Sequence, residues 1–208
     1  MLAIAGGKGG CGKTTTALGI ASELGARGSR PLVVDADRQM PDIHHRVGID
    51  RTPGLGCLGR AALSRLARRP SRFPRIDAVP CGTADRSTLS SALARLRGRR
   101  RPVLVDCPAG AGPDAAVPLR HADASIVVAT PTEQSLRDAA KTAAMARELD
   151  APPSFAVLTR SDGSTQPGAL LGCRDVVHVP EVSEPPLEAR AVAVRYAAVA
   201  TRLAKRNI

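Results

Sequence analysis

The chain has 208 residues, of which 43% are hydrophobic and 24% charged, a balance that supplies one sizeable buried core, predicts a single domain over 1–208 and argues against disorder. Its three aromatic side chains, Phe73, Phe155 and Tyr196, are too few for a binder that stacks nucleic-acid bases on aromatic platforms, and no run of 18 apolar residues offers a membrane span. Lys and Arg number 30 against 19 Asp and Glu, and the whole formal excess of +11 falls within residues 51–101, where 13 Arg face only Asp77 and Asp85.

In chain order, Val- and Ile-rich runs predict strands at Leu2–Ala5, Leu32–Asp35, Ile76–Val79, Val103–Asp106, Ala124–Ala129, Phe155–Thr159 and Val176–Val179. Ala/Leu patterns of helical period between them predict helices at 13–26, 56–68, 86–97, 133–149 and 186–204. Gly and Pro clusters mark loops at 52–54, 108–113, 152–153 and 163–168. Strands alternating with helices indicate an α/β fold, a doubly wound, mostly parallel sheet with helices on both faces. The opening MLAIAGGKGG carries no charged leader, and the five cysteines (11, 57, 81, 107 and 173) form no C-x-x-C pair. A soluble, cytoplasmic protein with reduced thiols is therefore expected.

Directly after the first strand, Gly7-Lys8-Gly9-Gly10-Cys11-Gly12-Lys13-Thr14 satisfies G-x-x-x-x-G-K-[ST] and opens the first helix, the context a phosphate-binding P-loop requires. Glycines let backbone N–H groups converge on phosphate oxygens, Lys13 adds a positive charge, Thr14 offers Mg²⁺ a hydroxyl, and the helix end adds its dipole. The chain uses Arg 26 times and Lys four times, yet two of the four Lys stand in this loop, so a compact ammonium is retained where a planar guanidinium would not serve. Asp35, Asp37 and Asp106 lie at or just past strand ends, on the edge where open α/β sheets bind ligands.

Residues 8–15, Lys-Gly-Gly-Cys-Gly-Lys-Thr-Thr, resemble the deviant Walker A motif of the MinD/ParA family, marked by the early lysine Lys8. Asp35-Ala36-Asp37-Arg38-Gln39-Met40-Pro41-Asp42-Ile43 is similar to that family's switch I, Asp106-Cys107-Pro108-Ala109-Gly110 to its Walker B and switch II, and residues 131–139 to a stretch of the MinD branch. The resemblance implies a P-loop NTPase fold of SIMIBI type, with ATP and Mg²⁺ as cofactors. It implies that residues 7–15 and Gly110 cradle the nucleotide and that Thr14, Asp35 and Asp106 serve the metal. Asp37 orients the attacking water by the same resemblance, and Lys8 reaches across an ATP-sandwich homodimer. Thr159, Arg160, Pro180 and Glu181 fall where the family contacts the base. An activator protein and slow, dimer-stimulated hydrolysis belong to the same expectation, as does a role in positioning a division component, a chromosome or other cargo.

Two departures stand out. Leu158-Thr159-Arg160-Ser161-Asp162-Gly163 also resembles the guanine-reading element of signal-recognition GTPases, which sets Asp162 as a base reader against Asp162 as ordinary turn chemistry; Lys8 and residues 131–139 favour ATP. Arg38-Gln39 replace the apolar or small residues usual in the MinD branch. The 51–101 arginines read either as a solvated face or as a phosphate-contacting surface for nonspecific DNA, as in ParA proteins. The stripe Val192, Tyr196, Val199 and Leu203 reads as core packing rather than the membrane anchor of well-known MinD proteins, with Arg202, Lys205 and Arg206 as its basic tip. Iron–sulfur and synthase relatives of the fold are the rival classes; Cys81 and Cys107 do not match cluster positions.

Overall fold

A computed structural model describes residues 1–205. Arg206, one of the three basic residues named above for the C-terminal stripe, lies outside the described residues. Seven strands, β1 (Leu2–Gly6), β2 (Leu32–Asp35), β3 (Asp77–Val79), β4 (Val103–Ala109), β5 (Ala124–Ala129), β6 (Pro153–Thr159) and β7 (Val176–Val179), form one sheet in the order β3-β2-β4-β1-β5-β6-β7. Every pairing is parallel. Parallel strands covered on both faces need apolar side chains at every position, which is why LAIAG, LVVD and ASIVVA read as continuous buried runs.

Alternation along each strand divides the core. Leu2 and Ile4 face one layer, where α1 (Lys13–Ala26) and α8 (Arg190–Lys205) pack with Val33, Ile126 and Phe155. Ala3 and Ala5 face the other, toward Leu119 of α5 (Pro113–Leu119) and Ala146 of α6 (Glu133–Glu148). On that second face α4 (Arg86–Leu96), capped by the Asp85 carboxylate at 2.7 Å from the Thr88 N–H, covers β2 and β4. Short helices α2 (Ile43–Val47) and α7 (Gly168–Leu171) complete the connections.

The α8 stripe is core: Val192, Tyr196, Val199 and Leu203 are each at most 1% exposed. No helix among the described residues is long and apolar enough to cross a membrane.

The helix predicted at 56–68 is not continuous. A 3-10 turn at Leu55–Cys57 is followed by a single turn, α3 (Leu63–Leu66), and Arg68 then exchanges backbone hydrogen bonds of 2.9 and 2.8 Å with Ala78 as an antiparallel bridge. Gly54, Gly56 and Gly59 break the helical run, while Leu55, Leu58 and Leu66 bury themselves one at a time. In the other direction, α5 is an element the sequence does not signal: it begins at Pro113, the last residue of the predicted loop 108–113, and Pro113 takes the first helical turn, where a missing N–H costs nothing. The last helix begins at Arg190 rather than 186, and β4 runs on to Ala109.

Gly19 of α1 fits against the ring of Tyr196, and a Cβ there would overlap that ring. Helix propensity alone favours Gly19→Ala by about 1 kcal/mol, but overpacking a filled seam costs about 1–3 kcal/mol. Gly19→Ala is expected to lower the unfolding free energy by about 1 kcal/mol in denaturant titration; a stabilised variant would show that the α1–α8 seam yields freely.

Candidate functional site

The loop from β1 to α1 crests the carboxyl edge of the sheet. Its two left-handed residues, Gly10 (φ 73°) and Gly12 (φ 94°), occupy a region a side chain would strain, and they turn the chain into the N-terminus of α1. Four neighbours from three segments fix the loop. A Cβ on Gly7 would overlap the Asp138 backbone carbonyl of α6, so the loop lies hard against that helix. Thr159, at the end of β6, donates its hydroxyl to the Cys11 carbonyl at 2.8 Å, and Arg160 donates Nη2 to the Gly10 carbonyl at 3.1 Å. The Gly110 N–H donates to the Gly6 carbonyl at 3.0 Å. Cys11 is packed beneath the loop, where burial raises its thiol pKa.

Lys13 begins α1 and is 8% exposed, with Nζ 3.4 Å from the Lys8 carbonyl. Beside it stand two buried carboxylates. Asp35 and Asp106 are ladder partners on adjacent strands. Thr14 donates its hydroxyl to Asp106 Oδ2 at 2.6 Å, while Asp106 Oδ1 is buried with no hydrogen-bond partner. Burial, against the opposing pull of Thr14 and Lys13, pushes the Asp106 carboxyl up to about 7. Burial and then the charge of Asp106 push Asp35 up to about 8, although the Asp37 and Ile43 N–H groups donate to it at 3.0 and 3.2 Å. Asp37 is turned into its own loop: Oδ1 accepts from the Gln39 and Met40 N–H groups at 3.1 and 2.9 Å.

These groups border a cleft of about 570 Å³ that brings together Gly9, Gly10, Gly12, Lys13, Thr14, Thr15, Asp37, Asp106 and Arg160. Met40, Pro41, Asp42, Arg46, Cys107 and Ala109 complete its wall; the sequence holds no separate signal for Arg46, which comes to the cleft from α2. A neighbouring cleft of about 370 Å³ joins Lys8, Gly9, Cys11, Arg160 and Glu181 to Thr130, Pro131, Thr132 and Ser135. Asp35 lies one layer behind, fully buried. Gly7 and Gly110 act as backbone supports, the Thr159 hydroxyl ties strand to loop, and Pro180 is half-buried at the end of β7 outside the residues lining either cleft. Asp162 accepts from the Ser164 N–H at 2.9 Å and the Ser164 hydroxyl at 2.7 Å, the turn arrangement rather than one open toward a ligand.

A buried ammonium, a hydroxyl paired with a carboxylate and a helix N-terminus meeting at one cleft form an anion site with a cation position beside it. Residues 2–171 match the model of the CobQ/CobB/MinD/ParA nucleotide binding domain. An uncharacterized ATP-binding protein of Methanocaldococcus jannaschii is 28% identical over 194 residues, 89% of this chain and 73% of that protein. The chromosome partitioning protein ParA of Caulobacter vibrioides is 37% identical over 128 residues, 52% of this chain and 47% of ParA. The chain spans little more than half, 56%, of the curated MinD relatives from Emiliania huxleyi and Neisseria meningitidis. Among solved structures, the septum site-determining protein MinD of Pyrococcus horikoshii, complexed with Mg-ADP, superposes with a TM-score of 0.82 at 24% identity, covering 100% of this chain and 98% of that one. With four fifths of its length matched and the loop, carboxylates and sheet order in place, the chain belongs to the CobQ/CobB/MinD/ParA nucleotide-binding family.

Proposed function

We propose that the chain is an ATP-hydrolysing switch of MinD/ParA type, a single P-loop domain whose ATP-bound form pairs with a second copy and whose hydrolysis releases it from a surface it occupies. The observation that carries this reading is the Thr14–Asp106 pair beside the buried Lys13 at the head of the cleft. The unpartnered Oδ1 of Asp106 and the Thr14 hydroxyl fit a hard cation. Among the described residues no cluster of three His, Cys, Asp or Glu side chains is ready to enclose a metal, which suits Mg²⁺ completed by water and phosphate oxygens. Bound there, Mg²⁺ would neutralise phosphate charge and restore the ionised form of Asp106 and Asp35.

The remaining work falls to the chain itself. The α1 N-terminus and Lys13 hold the phosphates, and Asp37, freed from its own loop, orients the attacking water. Positioning and charge neutralisation carry such a reaction, since the protein has little covalent chemistry to perform. Lys8 is exposed on the crest, placed to reach a partner's phosphates, and Arg160 and Glu181 flank the base side. The engaged Asp162 carboxylate supports ATP over GTP. A positioning role follows the septum site-determining and chromosome partitioning relatives, and an activating protein and a cytoplasmic location follow the resemblance of the sequence to the MinD/ParA family.

The surface is proposed to be DNA. Of the 51–101 arginines, Arg69, Arg72, Arg86, Arg97 and Arg101 pair with carboxylates and Arg68 with backbone carbonyls. Arg60, Arg95 and Arg99, without an ion pair among the described residues, line one open cleft of about 480 Å³ between the 58–63 segment and α4. Three guanidinium groups without ion pairs among the described residues, gathered at one cleft, suit a phosphate backbone read without base contacts.

Lys13→Ala is expected to weaken ATP binding by about 3 kcal/mol, roughly 100-fold, in equilibrium titration. Gly7→Ala, by pushing the loop off α6, should weaken it at unchanged charge. Asp37→Ala should retain ATP while hydrolysis falls by about 10²-fold or more; rapid turnover by that variant refutes its role. ATP-loaded Asp37→Ala protein should co-sediment with plasmid DNA, and replacing Arg60, Arg95 and Arg99 by Ala should weaken that binding and reduce its salt slope by about 0.9 per arginine. Sedimentation with anionic liposomes in place of DNA would move the surface to the membrane.

A further inference from the structure

Asp114, in the first turn of α5, gathers side chains from two other segments. Its Oδ1 accepts from Arg38 Nη1 at 3.2 Å and from Arg86 Nε at 2.8 Å, and its Oδ2 accepts from Gln39 Nε2 at 3.0 Å. Arg38 is held a second time, donating Nε to the Ala84 carbonyl at 3.0 Å. The carboxylate is only 15% exposed and Arg38 26%, so this pairing is shielded in a way an ordinary surface ion pair is not. The hydrogen bond from Arg86, reinforced by Gln39 and Arg38, holds the Asp114 carboxyl below its usual range against the effect of burial.

Arg38 and Gln39 are neighbours in segment 35–43, and both reach the same carboxylate. They follow Asp37 directly in the chain. Asp114 in turn follows the loop that leaves β4, the strand that carries Asp106, after Ala109. The hydrogen bonds therefore join the loop carrying one cleft carboxylate to the segment leading away from another.

We infer that Asp114 is a positioning residue, clamping the Asp37 loop through Arg38 and Gln39 so that Asp37 and Asp106 keep a common frame across the cleft. The inference rests on the ATPase reading above. Asp114 touches neither nucleotide nor metal position, and it acts through the backbone it anchors. An acid in a first helical turn also favours its own helix through the helix dipole. That local role involves neither Arg38 nor the kinetics of hydrolysis, which separates the two accounts.

The test compares the full chain with Asp114→Ala, Arg38→Ala and the double variant, using Arg202→Ala, whose side chain pairs from α8 with Asp175 just before β7, as a control. Steady-state ATP hydrolysis and hydrogen exchange of the 36–42 peptides in nucleotide-free protein are both measured. Each single variant should lose about 10-fold in kcat with KM within about twofold of wild type, as misplacement of a catalytic group predicts. Exchange should accelerate in 36–42 alone. The double variant should be no worse than the poorer single, the non-additivity of two partners in one interaction. Wild-type kcat in Asp114→Ala, additive losses, or unchanged protection of 36–42 overturns the clamp. Arg38→Ala leaves α5 intact and decides the matter should Asp114→Ala fail to fold. A wild-type chain that does not hydrolyse ATP overturns the ATPase reading and the positioning role together, while the exchange measurement still shows separately whether Asp114 tethers the loop.

Discussion

Two carboxylates buried side by side dominate the molecule. Asp35 and Asp106 occupy paired positions on adjacent parallel strands, at the end of the sheet where α1 begins. Like charges placed so close in a dry setting resist ionising together, and two backbone N–H donors, one hydroxyl and one ammonium are the groups arrayed around them. One oxygen of the pair, Asp106 Oδ1, accepts no hydrogen bond. The proposed Mg²⁺ would bring positive charge to that oxygen and favour the ionised carboxylate.

Sheet order explains why those groups meet. β1 lies at the centre between β4 and β5, so the loop that follows it emerges where Asp106 arrives from one side and the end of β6 approaches from the other. The loop is then bonded from three directions, by Thr159 and Arg160, by Gly110, and by the packing of α6 on Gly7. A phosphate cradle held by elements far apart in sequence is preorganised, and binding need not order it afterwards.

Much of this was readable beforehand. All seven strands lie where the apolar runs placed them within a residue or a few, since parallel strands buried on both faces leave an unbroken hydrophobic signature. The P-loop residues, Asp37 and Asp106 converge because the first two follow the carboxyl ends of β1 and β2 and Asp106 lies in the carboxyl half of β4 beside them, and the run of strands is legible in the sequence. Legibility failed where local signals conflict with tertiary ones. The 56–68 segment has helix-forming residues interrupted by glycines, and the burial of three separated leucines decided its course. Prolines concealed α5, and with it Asp114, whose significance depends on residues from two distant segments. Thr159 was assigned to the base from its place in a motif, whereas the direction of its hydroxyl, toward the Cys11 carbonyl, exists only in three dimensions.

The antiparallel bridge between Arg68 and Ala78 has a bearing on how copies of the chain can associate. β3 is the outermost strand on its side, and an outermost strand offers unpaired amides and carbonyls to any other extended chain. Here Ala78 already gives its N–H and carbonyl to Arg68, whose guanidinium is itself anchored on the carbonyls of Asp50 and Thr52. The middle of that margin is closed by the protein's own backbone. Growth of the sheet from molecule to molecule is therefore blocked at that margin, and cross-strand polymerisation through β3 is disfavoured.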